Sequence, residues 1–338
     1  MRGFLRLVPT LSALVLASCS LTLWDYSGMS SKRYALIYGV AQYVAPPLPA
    51  QANNPNLTYP AADASSVAQM LGQQGYAVMS RWVTADGEEY VNGVDTSTNI
   101  LTSSAAAPTA QNIASDLDAL SANVGPNDIV VFYFSGHGMQ DNNTPQNEYI
   151  VPSGGVLYSP ASNWYYGDTS SSINQSQLAS LVSVLPTNRK VVILDTCNSG
   201  GFIGSSLEAD SIPAASLGSS GSISIQALAQ ALSNYVTFST STTALSPYGQ
   251  AMVLSAAGRD ESCYESDFPY YHGVMTYYFL QAQQSGDLNH DGHVTVTEAF
   301  SLVKAGIETD WNSNSGVQAS GETYEPRISG GPIDYVLW

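Results

Sequence analysis

Apolar and polar positions alternate in blocks along this chain, and the blocks have two lengths. Short runs dense in β-branched and aromatic residues recur at Tyr34–Val40, Tyr76–Val83, 128–138, 190–194 and Ala251–Ala257. Between them lie longer segments with apolar residues three and four apart. Val67, Met70 and Leu71 stripe Tyr59–Gly72; Ile113, Leu117 and Leu120 stripe Thr109–Ser121; Ile173–Leu185 and Gly273–Ala282 follow the same spacing. The short runs predict strands and the longer ones helices. Val191–Leu194 are four aliphatics in a row, as suits a strand covered on both faces. Strands alternating with helices predict an α/β chain whose mainly parallel sheet has helices on both sides.

The segments between blocks read as connections. Pro46–Pro55 is a proline and asparagine loop, 85–107 a surface insertion rich in Gly, Asn and Thr, and Asn147–Pro152 a short extension. Residues 156–170 group Trp164, Tyr165 and Tyr166; an exposed aromatic group could line a groove, but packing is the commoner fate. Residues 204–221 are a Ser/Gly/Ala tract, followed by a short helix over 225–232.

Two of the strands end in chemistry. One closes on Ser135-Gly136-His137-Gly138, the other on Asp195-Thr196-Cys197-Asn198-Ser199-Gly200. Strand ends of an open parallel sheet are where ligands bind. A thiol at one and an imidazole at the next make a nucleophile and its base. In this order, about sixty residues apart, the two motifs resemble those of the caspase/metacaspase superfamily of cysteine peptidases. The resemblance covers roughly residues 34–300. It implies a three-layer αβα sandwich on a mainly parallel six-stranded sheet, Cys197 as nucleophile, His137 as general base, and the amides of Gly138 and Cys197 as oxyanion donors. It further implies that Asp63, opening the first helix, and Asp195 line a pocket for an Arg or Lys side chain; a helix N-terminal charge is the plainer reading of Asp63. His272, His290 and His293 have no comparable setting. Two other readings stand beside the peptidase. One is a catalytically silent surface binding module; the other is a different cysteine hydrolase, needing a third orienting residue that the sequence does not identify.

Composition narrows the partners. Hydrophobic residues are 44% of the 338 and charged ones 11%, so a sizeable core is expected under a surface of Ser, Thr, Asn, Gly and Tyr. A net charge of -17 excludes a nucleic-acid-binding face and favours cations or basic peptides as partners. No Lys or Arg lies between Lys190 and Arg259, so an enzyme of basic specificity could not cut its own linker and is expected to work as one chain, a monomer.

Arg2 and Arg6 precede a short apolar segment ending in Leu16-Ala17-Ser18-Cys19, which looks like a bacterial lipobox. The expectation is a signal over 1–18, a lipidated Cys19 with a tether to residue 33, and an exported, lipid-anchored domain over 34–338. That domain divides into a larger part (34–203), a linker region (204–250) and a smaller part (251–338). Of three cysteines, Cys263 reads as a small buried residue. Finally, 287–298 follows the EF-hand loop: Asp287, Asn289 and Asp291 at positions 1, 3 and 5, then Gly292, the His293 carbonyl, Thr295, and Glu298 at 12. It predicts calcium in a structural role, with the oxygen donors disfavouring zinc despite His290 and His293.

Overall fold

The computed structural model describes residues 31–92, 106–140, 148–196, 251–257, 261–329 and 334–338. The signal segment, Cys19, most of the 85–107 insertion, Cys197 and the 204–250 linker with its expected helix lie outside the described residues. Ser31–Trp338 forms one compact unit.

In chain order, β1 (Arg33–Val40), α1 (Pro60–Gln73), β2 (Ala77–Val83), β3 (Glu89–Asn92), α2 (Ala110–Ser121) and β4 (Ile129–Ser135) come first. Small strands follow: β5 (Gly138–Gln140), β6 (Glu148–Ile150), β7 (Val156–Ser159), β8 (Trp164–Gly167) and β9 (Ile173–Asn174). Then come α3 (Gln175–Ser183), β10 (Arg189–Asp195), β11 (Ala251–Ser255), β12 (Glu265–Ser266) and β13 (His272–Gly273). The chain closes with α4 (Val274–Ser285), α5 (Val296–Gly306) running into a π-helical turn, α6 (Ser315–Ser320) and β14 (Arg327–Ser329).

Among the described residues the main sheet has seven strands, in the order β14-β11-β10-β4-β1-β2-β3. The five central strands run parallel and the two edges antiparallel. The expected αβα sandwich is present, with one strand more than six. Neither edge strand has an apolar run to read. β3 lies where the composition indicated a surface insertion, and its Glu89-Tyr90-Val91-Asn92 is mostly exposed, as edge strands tend to be.

Side chains alternate across the sheet, so each central strand feeds two cores. Ala35, Ile37, Val131, Tyr133, Val191 and Ile193 pack under α1, α4 and α5. Leu36, Tyr38, Phe132, Phe134, Val192 and Leu194 pack under α2 and α3. Each fully buried large side chain contributes roughly 1.5–3 kcal/mol before entropy. A buried cation crosses the second core: the Arg81 guanidinium grips Asp116 with two bonds of 2.7 Å, and Tyr38 donates to the same carboxylate. Cys263 is fully buried in the first core, the place a small apolar residue takes. The aromatic tract forms the β7–β8 hairpin with Tyr165 buried, so packing prevails there over a groove.

Candidate active site

β4 and β10 are neighbours in register, and Asp195 lies opposite Ser135. Each motif therefore leaves its strand at the same level, two residues before His137 in one and two before Cys197 in the other. Cys197 itself is outside the described residues. At Gly136 the backbone takes φ +153, and a Cβ there would lie 2.7 Å from the Tyr43 hydroxyl, so only glycine fits.

His137 is buried in a cradle built by the loop after β1. Its Nε2 lies 2.7 Å from the Pro55 carbonyl oxygen. A carbonyl only accepts, so Nε2 carries the proton and Nδ1 is the basic nitrogen. The Tyr43 ring lies against the imidazole, centroids 4.7 Å apart. Its hydroxyl accepts from the His137 backbone N–H and donates to the Val151 carbonyl. Asn56, next to Pro55, accepts from the amides of Tyr43 and Val44 and donates to the Val44 carbonyl, closing the loop on itself. The group that holds the imidazole is a backbone carbonyl, and a peptide oxygen has no signature in side chains.

Gly138 begins β5. Val151 N–H donates to the His137 carbonyl, and Gly138 lies opposite Ile150. In an antiparallel ladder hydrogen-bonded and non-hydrogen-bonded pairs alternate, so the Gly138 amide points away from β6, off the free edge of that small sheet.

The two expected acids come together beside this edge. Asp63, in the first turn of α1, and Asp195, at the end of β10, are each 1% exposed. They flank Gly273, where a Cβ would lie 2.4 Å from one carboxylate oxygen of Asp195 and 3.1 Å from one of Asp63. Asp63 is saturated: Oδ2 accepts from Ser135 Oγ, Oδ1 meets His272 Nδ1 at 2.7 Å, and the Gly273 amide reaches both. Asp195 is half engaged. Its Oδ2 accepts from the Thr276 amide and hydroxyl, while Oδ1 is buried with no hydrogen-bond partner among the described residues. Burial, then the charge of Asp63, pushes the Asp195 carboxyl up to about 7. Burial also raises Asp63, against the pull of His272. The same two charges add to burial in holding the Tyr133 phenol well above its usual range.

Asp63 is thus more than a helix-end charge, and His272 does have a setting after all. Its neighbour Gly273 precedes α4, and that adjacency is its one signal along the chain; Thr276, on the same helix, has none.

The 287–298 loop stands apart, between α4 and α5. Gly292 turns at φ +88, Asp291 N–H donates to Asp287 and Asn289, and Gly292 N–H donates to Asp287. Glu298 accepts from the amides of Asn289 and Thr295, and the His293 amide donates to Asp291. The turn and the oxygen donors fit a hard cation. Yet among the described residues no three His, Cys, Asp or Glu side chains converge closely enough to hold a metal, because these carboxylates face the loop's own amides. The chain's C-terminus pairs with this loop: Val294 N–H donates to Trp338, Leu337 N–H to Val294, and Val296 N–H to Tyr335. No described helix is long and apolar enough to cross a membrane.

Comparison with known proteins follows this geometry. The caspase domain model matches residues 32–305. Among solved structures, a protein from Geobacter sulfurreducens is 15% identical, with a TM-score of 0.51 over 89% of this chain and 93% of its own. Caspase-1 from Spodoptera frugiperda is 11% identical, with a TM-score of 0.43 over 89% of this chain and 88% of its own. The first of these likenesses, at so low an identity, speaks to fold alone. No curated protein matches in sequence.

Proposed function

The chain belongs to the caspase domain family, and from that premise we propose that it is a cysteine endopeptidase cutting after Arg or Lys. One observation carries the reading. At a single sheet edge lie an imidazole oriented by a backbone carbonyl and two buried carboxylates, one with an oxygen unengaged among the described residues. A desolvated carboxylate oxygen is costly unless a cation or donor meets it, and a basic side chain supplies both.

In this reading His137 Nδ1 takes the Cys197 proton and the thiolate attacks the peptide carbonyl. The amides of Gly138 and Cys197 receive the oxyanion. The imidazolium then returns its proton to the leaving amine, and water, deprotonated by the same nitrogen, releases the acyl group. Labelling by an Arg-based acyloxymethyl ketone, lost in Cys197→Ala and His137→Ala, is the expected result. An unlabelled wild-type protein would leave a silent binding module instead. With no basic residue between Lys190 and Arg259, intact mass after incubation is expected to show one uncut, monomeric chain.

Calcium belongs to the same proposal. Asp287, Asn289, Asp291, the His293 carbonyl, Thr295 and Glu298 would hold it, their carboxylates turning inward from the amides they now accept. When bound, the ion cross-links the start of the loop to α5 and so stiffens the C-terminal helices. Terbium luminescence excited through the nearby aromatic residues, displaced by calcium, tests it. Export and anchoring through an acylated Cys19 complete the picture. Mass spectrometry of the membrane fraction should find the lipid, and Cys19→Ala should release the protein.

A further inference from the structure

The acid pair already has a resident imidazole beside it. His272 reaches Asp63 Oδ1 from the β12–β13 hairpin, its side chain 18% exposed against 1% for the carboxylate it holds. It therefore lies between the buried acid and solvent. The hairpin is moored independently of this contact. The Glu265 carboxylate accepts from the amides of Thr58 and Tyr59 ahead of α1, and Asp267 accepts from the Tyr59 hydroxyl. Its tip is open, with Phe268 80% exposed and Tyr271 held at φ +52 just before the histidine. The imidazole can leave Asp63 by side-chain rotation without unfastening the hairpin.

We infer that His272 is the resting occupant of the cation seat, displaced from Asp63 when a basic substrate side chain docks, and so a specificity-determining residue. The inference rests on the basic-pocket reading above and deepens it. Among the described residues one pocket oxygen, Asp195 Oδ1, is unengaged, and a second, Asp63 Oδ1, accepts from the Gly273 amide and is covered by a ring that offers a single N–H. A guanidinium offers two parallel N–H groups, donors enough for both oxygens. An ammonium is a point charge that can take Asp195 while leaving His272 in place. Displacement of His272 is therefore a step that an Arg side chain makes and a Lys side chain does not.

The test uses Cys197→Ala protein, agmatine as the guanidinium probe, calorimetry and thermal unfolding. Replacing His272 by Ala uncovers Asp63, so agmatine should bind about tenfold more tightly. The same variant should unfold at lower temperature alone, because a buried carboxylate has lost its partner, and agmatine should restore the loss. With Cys197 intact, His272→Ala should lower KM for an Arg reporter more than for a Lys reporter, and so widen the preference for Arg. Equal or weaker agmatine binding by a folded His272→Ala protein, or a thermal loss that agmatine does not restore, overturns the inference; His272 then only orients Asp63. Should the Ala variant fail to fold, the His272 nitrogen resonances of the Cys197→Ala protein decide. They must shift as agmatine saturates, and unchanged resonances sink the idea. The two readings fail separately. Agmatine binding abolished by Asp195→Asn but indifferent to His272 keeps the pocket and removes only this inference. No binding in any variant removes the pocket and this inference together.

Discussion

Asp63 and Asp195 lie 1% exposed under the sheet edge, while Asn289 and Asp291 sit exposed in a loop at the far side of α4. The functional groups are largely the same and the physics is opposite. Below the sheet, water has been removed, so each oxygen must find a fixed donor or raise the cost of its charge. The described residues supply Ser135, Gly273, His272 and Thr276, and among them none reaches Asp195 Oδ1. In the loop the carboxylates accept from their own chain's amides and keep solvent within reach. A buried, incompletely satisfied pair selects a partner by the geometry of its N–H groups. An exposed oxygen set, if it binds calcium as proposed, would select it by charge and coordination number.

The comparison breaks most visibly if the buried edge is not chemical at all. Cys197→Ala and His137→Ala should each lower kcat/KM by at least about a thousandfold, since proton transfer and covalent attack are both lost. Hydrolysis of an Arg reporter measures it, and a variant that retains a tenth of the activity defeats the assignment.

Asp195→Asn comes next and sharpens the contrast, because it removes charge without changing shape. Loss of one side of a buried ion pair is worth about a hundredfold or more in kcat/KM for an Arg reporter. The same substitution has a readout in stability. With its folded carboxyl pushed up to about 7, Asp195 holds a proton in the native state that the unfolded chain has already released. Its stabilising share is complete at low pH and is lost as pH rises from the ordinary carboxylate range through about 7. Asp63, also raised, acts in the same direction. The thermal midpoint of the wild type should fall across that interval, and Asp195→Asn should flatten the fall. An unchanged slope would place the titration elsewhere.

Much of this was legible along the chain, for reasons particular residues make plain. Val191–Leu194 could only be a strand covered on both faces, and the two motifs beyond β4 and β10 announced a shared edge. The edge strand Glu89–Asn92 could not be read, since exposure removes the alternation that marks a strand. Nor could the cradle of His137. Pro55 acts through its carbonyl, and Tyr43 through contacts with residues about a hundred positions away. Such pairings belong to the tertiary fold and leave no local pattern.

Tyr43 supplies a smaller test of that cradle. Tyr43→Phe keeps the ring against His137 and deletes the hydroxyl bridging the His137 amide and the Val151 carbonyl. One bridging group is worth about 1 kcal/mol, so kcat should fall roughly five- to tenfold. KM should hold, because the acid pocket is untouched. A fall confined to KM would show that Tyr43 serves the substrate rather than the imidazole.

The smallest effect lies in the loop, where Glu298 has two separable roles. It is the third residue of α5 and closes a capping box with Thr295: each backbone N–H donates to the other side chain, at 3.0 and 3.3 Å. It is also the twelfth residue of the loop, where an EF-hand requires a bidentate carboxylate. Glu298→Gln preserves the first role, since Gln closes a capping box as Glu does. It halves the second, because an amide offers one acceptor oxygen and no charge. Without calcium, the variant's stability should stay within about 0.5 kcal/mol of the wild type. With calcium, the wild type should gain stability in proportion to the logarithm of ion concentration over Kd, and Glu298→Gln should gain little. A variant already destabilised in chelator would mean that the carboxylate's charge at the N-terminus of α5, rather than any ion, accounts for its place. A wild type whose thermal midpoint is indifferent to calcium would leave the loop as a folded turn and remove the cation half of the comparison.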